Sequence, residues 1–316
     1  GNQAIPGINL SGGGQLTVNG DVYVNSAGGG KDENGQTVPG SGYGVGTGKG
    51  IKAAKMNVVG GVDNPANITN VYTTNPDDPL HCRQIIMSDP LDYLPTPTTA
   101  NGVINTSQNY VGAKGKTVTL NPGIYTGGIN ITTGTVVFNP GIYVLKGGGL
   151  QISNGANVSG SGVMFYNTGT DYAATSGSPD ISDPADPLGQ TAPTSTSSFG
   201  AINISGSPTF TPINTTDQSI NYTAAQRAAL GPFNGMLFYQ RRANTQTINF
   251  GGNATPVLSG TVYAKWGPLT LAGSGTFNAQ FLVYSVACTG TSTVSFSIGA
   301  NNTTTVGSAP QVFLVQ

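Results

Sequence analysis

Charged residues are scarce in this chain of 316 residues: they make up 8% of the sequence, and the formal net charge is -1. Soluble proteins average about 25% charged residues. With only 12 Lys and Arg residues, the chain lacks the basic stripe that nucleic-acid binding requires, so we predict no nucleic-acid partner. No apolar run approaches the ~18 residues of a membrane helix, so we expect no membrane span in this chain.

Cysteine is also rare, with only Cys82 and Cys288 present. No signal peptide is recognisable and the first residue is Gly1, so we expect a processed or shortened chain. Few charges and many Thr, Ser, Asn and Gly residues are typical of an extracellular surface protein. In a secreted chain an even number of cysteines predicts one disulfide, Cys82–Cys288, although two buried free thiols are the alternative.

Carboxylates and histidine are missing where catalysis would need them. No acidic residue lies between positions 93 and 170, and none follows Asp217, whereas glycoside cleavage uses paired carboxylates. The only histidine, His81, directly precedes Cys82, a spacing that seldom lets a Cys/His pair face each other. We therefore predict a non-enzymatic protein without catalytic residues, and polysaccharide degradation, which many β-helical proteins perform, is disfavoured.

One acidic cluster is present, at Asp180, Asp183 and Asp186. Its carboxylate oxygens are the ligand type that Ca²⁺ prefers. The spacing matches no calcium loop, and Pro184 restricts the backbone, so a solvated loop is the competing interpretation. We predict no metal and no cofactor, with these three residues as the only weak candidates for calcium.

Glycine (48 residues) and proline (20) punctuate short runs of Val, Ile, Leu, Tyr and Phe. The motif Asn-Pro-Gly-Ile-Tyr occurs at residues 121–125 and recurs at 139–143. The alternating segments 129–131 and 150–152 lie 21 residues apart. A repeat of about 20 residues made of short β runs and glycine turns indicates a solenoid. We predict an all-β fold, a right-handed parallel β-helix (β-solenoid), as a single domain over residues 1–316.

Several segments do not fit the repeat. Residues 27–50, 74–101 and 168–199 are rich in Gly, Pro, Ser or Asp and are predicted to be long loop excursions. Thr223–Leu230 predicts the one short helix, with Thr223 or a residue just before it as its N-cap and Gly231 at its end. We expect this helix to cover an edge or an end of the solenoid.

Six short motifs follow one another through residues 89–290. Their order points to a protein family more specifically than any single motif does. The pieces, in order, are residues 89–97, 120–129, 140–150, 158–166, 235–240 and 258–263. Together they resemble the extracytoplasmic part of TadG-like proteins, which are associated with the Tad/Flp (tight adherence) pili of bacteria. The resemblance implies a surface-exposed role in a pilus or in adhesion. The membrane helix usual at the start of that family is absent, and Thr126 stands where a family cysteine often follows Pro-Gly-x-Tyr, so the family's disulfide pattern does not carry over.

Apolar residues at both ends of the chain are candidates for assembly, because a strand lent to a neighbour's sheet gains main-chain hydrogen bonds and side-chain pockets. Both ends pairing within their own subunit is the alternative. The candidate assembly residues are Ile5, Ile8, Leu10, Val312, Phe313, Leu314 and Val315.

These observations predict an extracellular structural protein of the bacterial cell surface, a subunit or accessory of a fibre, pilus or adhesive matrix that self-assembles head-to-tail. Its partners would be further copies of itself or other pilus and surface components.

The alternative is a glycan-binding surface module. Tyr125 and Tyr143 occupy equivalent repeat positions and favour a structural ladder. The candidate glycan contacts are Trp266, Tyr172, Arg241 and Arg242.

Overall fold

The structure is a computed structural model in which β-strands dominate. It describes residues 5–11, 13–72, 77–110, 112, 115–178, 194–251, 257–272, 275–289 and 293–297, with backbone only at 275, 276, 293 and 297. Twenty-one strands form one large sheet whose pairs are all parallel, and a two-stranded hairpin stands apart. The predicted all-β chain with parallel pairing and one short helix is confirmed. No described helix is long and apolar enough to cross a membrane.

The strands fall into an N-terminal group and a longer group after residue 106. The first group is β1 (Ile8–Leu10), β2 (Gln15–Val24), β3 (Gly30–Lys31), β4 (Thr37–Val38), β5 (Val45–Gly46), β6 (Gly50–Val58), β7 (Ile68–Asn70) and β8 (Leu80–His81). The second group is β9 (Ser107–Gln108), β10 (Thr117–Leu120), β11 (Gly123–Thr126), β12 (Ile129–Phe138), β13 (Gly141–Lys146), β14 (Leu150–Thr168), β15 (Ile202–Ile204), β16 (Thr209–Pro212), β17 (Met236–Gln240), β18 (Ile248–Phe250), β19 (Val257–Ala264), β20 (Leu269–Ala272), β21 (Gly275–Val283), β22 (Val286–Thr289) and β23 (Thr293–Ser297).

Apolar residues repeat in register from one layer to the next, where a layer is the chain segment that adds one strand to each ladder of the sheet. Ile129 lies opposite Leu150, as the 21-residue spacing predicts. The same row continues through the later strands of the sheet. In order, its members are Ile129, Leu150, Ile202, Ile248, Leu269, Val286, Ile8 and Val45. All are buried except Val286, which is partly buried and packs against the others, so this row forms part of the interior core.

The order of the layers differs from the order of the sequence. From β9 to β23 the layers follow the order of the sequence. The layer that stacks on β22 and β23, however, is made of N-terminal strands. Strand β22 pairs with β1, and β23 pairs with β2, both in parallel. Strand β2 then pairs with β6, which carries β7 and β8 at the far edge. The N-terminal unit, residues 5–82, therefore extends the sheet beyond its C-terminal strands.

Residues 89–106 carry the chain back along the flank of the sheet to β9, and we call them the strap. The strap covers outward-facing apolar residues of the middle layers. Leu91 is fully buried and Leu94 is 2% exposed. They belong to a second apolar cluster that lies outside the interior core and includes Val144, Tyr166 and Tyr239. Since these strands are buried on both faces, they contain continuous apolar runs rather than alternating ones.

The repeated Asn-Pro-Gly-Ile-Tyr motif forms the same turn twice. The Tyr125 hydroxyl donates to the Asn121 carbonyl at 2.7 Å, and the Tyr143 hydroxyl donates to the Asn139 carbonyl at the same distance. The two rings lie 5.8 Å apart, as expected for a ladder. Gly141 has a φ of 139° and leaves no room for a Cβ atom beside the Pro122 ring. The motif therefore requires glycine for both conformation and space.

The helix α1 spans Ala224–Leu230 and begins at the predicted cap: the Thr223 hydroxyl accepts a hydrogen bond from the Gln226 amide. The α-helix ends at Leu230 with Gly231 as its C-cap, as predicted. Gly231 nevertheless keeps right-handed dihedrals (φ -48°) and starts a 3-10 turn over Gly231–Phe233. Leu230 and Phe233 are buried in the outer cluster, so the helix covers the flank of the sheet rather than an end.

Two of the predicted loop excursions contain short strands. In residues 27–50, β3 and β4 form an antiparallel hairpin, and β5 returns to the large sheet beside β1. In residues 74–101, β8 belongs to the sheet and the strap is packed against it. Of residues 168–199, the part 179–193 lies outside the described residues, and Tyr172 and Ala174 are buried. Turn-forming residues predicted loops in these segments. Most of their described residues nevertheless pair with the sheet or pack against it.

Candidate functional surfaces

A polar cluster fastens the strap to the sheet. The Tyr263 hydroxyl donates to Asp89 Oδ2 at 2.5 Å, and Arg242 Nε donates to the same hydroxyl oxygen at 3.0 Å. Lys265 Nζ lies 3.6 Å from Asp89 Oδ2. Asp89 is at the start of the strap, while Tyr263 and Lys265 belong to β19 and the turn after it. The cluster joins residues far apart in the sequence and fixes one end of the strap.

Arg242 extends this anchor along the strap backbone. Its Nη2 atom donates to the carbonyl oxygens of Leu91 at 2.9 Å and Leu94 at 3.3 Å. Burial, and next the Asp89 carboxylate, raise the pKa of Tyr263 well above its ordinary value, so the hydroxyl stays protonated near neutral pH and can donate. The Nε and Nη2 donors of Arg242 are used within the protein, and the glycan contact at this partly buried residue stays a prediction.

Arg241 and Tyr172 are wrong as glycan contacts, because both side chains are 2% exposed. Arg241 Nη1 lies 2.6 Å from Asp171 Oδ1. Burial alone would raise the pKa of Asp171, but hydrogen bonds from Arg241 and Ser197 lower it. The Tyr172 hydroxyl donates to the Pro97 carbonyl at 2.9 Å, which holds the middle of the strap.

A shallow polar groove of about 440 Å³ lies beside the buried Arg241. The Arg241 guanidinium stacks over the Phe199 ring, with its carbon 5.4 Å from the ring centre. The groove is lined by Ser195, Ser197, Ser198, Phe199, Ala243, Thr245 and Gln246. Hydroxyl, amide and aromatic groups of this kind suit a neutral polar ligand rather than a charged one.

Trp266 is half-buried and differs from the other predicted glycan contacts. Its ring lies 5.4 Å from the ring of Tyr284 at an angle of 42°, and Tyr284 is 39% exposed. The two residues precede β20 and β22, which are neighbouring strands. They form an aromatic ridge, defined as Trp266 and Tyr284, on consecutive turns at the surface.

A second cavity, of about 680 Å³, lies at the edge of the sheet formed by β7 and β8. Its lining includes three acidic side chains, Glu33, Asp77 and Asp78. Among the described residues, no three His, Cys, Asp or Glu side chains are grouped closely enough to hold a metal ion. The calcium candidates Asp180, Asp183 and Asp186 lie outside the described residues.

The two cysteines are free thiols, which corrects the predicted disulfide. Cys288 lies in β22 between Leu10 and Leu271 of the neighbouring strands, inside the core. The Cys82 thiol is directed at the Lys31 carbonyl, 3.7 Å away. Burial is the largest cause that raises the pKa of each thiol to about 12. The even cysteine count indicated a disulfide, but the layer order gives the two side chains different partners.

The N-terminal assembly residues also require a correction. Ile8 and Leu10 are each 5% exposed and pair with Val286 and Cys288 of the same chain, so β1 is already inside its own sheet. Ile5 is 60% exposed and precedes that strand. The C-terminal candidates Val312, Phe313, Leu314 and Val315 lie outside the described residues.

Comparison of the chain with family models, curated proteins and solved structures gives no significant match. The resemblance to TadG-like proteins therefore stays a prediction. Sequence reasoning also missed the anchor of Tyr263, Asp89 and Lys265. The repeat placed Tyr263 on a strand, but nothing local to Asp89 indicated which side chain it contacts.

The thiols provide a test of the cysteine environment. We expect the native protein to react at least about tenfold more slowly than the denatured chain with a thiol reagent at pH 8, because burial keeps both thiols protonated and covered. In denaturant without reductant, both cysteines should react. Reagent absorbance measures both quantities, and a denatured chain with no reactive thiol would show that the disulfide exists.

The strap anchor provides a second test. Tyr263→Phe removes the hydroxyl that joins Asp89 to Arg242, and the partners left behind are largely buried. We expect a loss of about 1–3 kcal/mol in the free energy of unfolding, measured by chemical denaturation. Tyr284→Phe, at an exposed ring, is the matched control and should change stability by less than about 0.5 kcal/mol. Equal effects of the two variants would contradict the anchor.

Proposed function

We propose that this protein is a non-enzymatic structural component of the bacterial cell surface, an extracellular subunit or accessory of a fibre, pilus or adhesive matrix. We further propose that the parallel sheet winds as a right-handed β-solenoid. The observation that carries the proposal is the continuous parallel sheet, because such a stack makes a stiff body with two open edges. The scarcity of acidic residues along the layers and the resemblance to TadG-like proteins also support it.

The open edges are suited to head-to-tail contact. Among the described strands, β7 and β8 pair only with β6, while β10 pairs only with β12 at the opposite edge. All strands of the sheet point the same way, so a second copy placed end to end would continue the parallel pattern. The β7–β8 edge has Glu33, Asp77 and Asp78 around its cavity, whereas Lys116 is exposed beside β10. Opposite charges at the two edges favour a head-to-tail contact over a symmetric one.

We expect the purified full chain to form rods longer than one molecule, visible by negative-stain electron microscopy. Lys116→Glu places like charges on the two edges and should weaken end-to-end association about fivefold, as expected for ~1 kcal/mol at an exposed contact. Lys146→Glu makes the same charge change on a middle layer and is the matched control. Single rods of one molecule's length at every concentration would overturn the self-assembling form of the proposal.

Glycan binding is a second candidate function, and the aromatic ridge is the observation that favours it. Half-exposed rings on consecutive turns offer an apolar surface to sugar rings. The groove beside Phe199 could bind the polar groups of the same ligand class.

Trp266→Ala should weaken binding to a neutral soluble polysaccharide about tenfold, corresponding to ~1–2 kcal/mol, as measured by affinity electrophoresis over a panel of neutral glucans and mannans. Tyr93→Ala is the matched control, since Tyr93 is 60% exposed and lies on the strap, not on the ridge. Migration of the native protein that is unchanged by every polysaccharide would remove this second candidate.

A further inference from the structure

The junction between the N-terminal unit and the rest of the sheet joins segments that are distant in the sequence. It consists of two parallel pairings, β1 on β22 and β2 on β23. The β2–β23 pairing alone aligns five residues of each strand, from Gln15 opposite Thr293 to Asn19 opposite Ser297. No loop connects β23 directly to β1, so the junction is held by non-covalent contacts.

The side chains at the junction are those of an ordinary layer. Leu16 lies opposite Val294, and Val18 lies opposite Phe296, all of them buried in the interior core. The Val286 amide also donates to the Gly7 carbonyl at 2.8 Å. Nothing in these contacts requires the two strands to belong to one molecule, because parallel pairing and apolar burial are the same within and between chains.

The linker between the N-terminal unit and the strap contacts the unit at its start and the β19 region at its end. The Arg83 guanidinium bonds Asp32, and the Met87 amide donates to Asn25 Oδ1, so residues 83–87 hold to the N-terminal unit. From Asp89 onward the anchors belong to β19 and its neighbours. Residues 83–88, which we call the hinge, therefore separate two sets of contacts.

The hinge has features of a segment that can open. Arg83 has a φ of 59°, and it is the one described residue other than glycine with a positive φ. Ile85 within the hinge is 94% exposed, an unusual position for isoleucine. A residue in the left-handed region stores strain that is released when the backbone is freed. Opening the hinge requires the Arg83–Asp32 and Met87–Asn25 contacts to break, and the six freed residues then reach about 20 Å when extended.

We propose that the N-terminal unit is an exchangeable module, and that residues 5–82 of one copy bind β22 and β23 of a second copy. The self-contained form is then one of two arrangements of the same contacts. Since the bonds lost and gained at the junction are identical, the balance depends on the hinge and on protein concentration. The proposal does not depend on the fibre function, because exchange can also produce a closed dimer.

The test uses full-length chains in which Cys82 and Cys288 are replaced by Ala. Asn9 and Ala287 are aligned across the junction and neither is buried. One chain carries Asn9→Cys and the other carries Ala287→Cys; they are mixed in denaturant, refolded together at several concentrations and mildly oxidised. A disulfide between the two chains at these positions requires exchange, because aligned cysteines must come within about 7 Å between Cα atoms. Non-reducing gels and peptide mass spectrometry identify it.

The matched control mixes chains carrying Asn130→Cys and Gln151→Cys, which are also exposed and aligned but lie in consecutive layers without a hinge. We expect the mixed dimer of the junction pair to rise with concentration and to exceed the control pair at least about tenfold. A junction pair that yields no more mixed dimer than the control overturns the proposal.

A single chain carrying both Asn9→Cys and Ala287→Cys checks the junction itself. At low concentration it should form an internal disulfide and remain a monomer; failure to do so would overturn the proposed junction. The oxidised monomer also separates the two proposals. If it still forms rods, the fibre proposal stands without exchange; if rods need the unlocked chain, exchange is the route of assembly.

Discussion

The in-register parallel ladder is the constraint on which the rest of the structure depends. Each layer must pair its main chain on both sides, and it must also place apolar side chains at the same inward positions. Ile129, Ile202 and Leu269 meet this requirement in layers of quite different loop content. Because only a few positions per layer are fixed, long segments can leave the sheet between strands and return in register. The glycine and loop content of the chain follows from this freedom.

A second constraint arises on the flank, where the sheet has apolar residues on both faces. Ile142, Met164 and Tyr166 are fully buried although they face away from the interior core. The strap, the helix and residues 170–178 supply the cover. A strap without regular strands cannot pair its own carbonyl groups, so side chains must satisfy them. Arg242 does so for several carbonyls at once, which explains why a low-charge protein places a guanidinium there.

The sequence was sufficient to predict the register of adjacent layers but not their order. The spacing between 129–131 and 150–152 is local, and the structure has that register. The placement of β1 on β22 is different, because any layer with two inward apolar residues can stack on any other. The anchors were hidden for a related reason: Arg241 and Arg242 looked like an exposed pair, since Asp171 lies 70 residues away and the Asp89–Tyr263 contact spans 174. The sequence repeat predicts which residues of adjacent layers are aligned. It does not predict side-chain contacts with segments outside the repeat.

The permuted order of layers also determines which strands remain for contacts with other molecules. Since β1 is paired on both sides, the described open edges are formed by internal segments, β7 and β8 at one side and β9 and β10 at the other. An end-to-end contact through the described residues must therefore use edge strands that already pair with one strand of their own sheet. Low charge reduces the repulsion between such edges, with Glu33, Asp77 and Asp78 near one edge and Lys116 at the other. In such a sheet, the assembly that we propose would use residues of the same repeat that makes the fold.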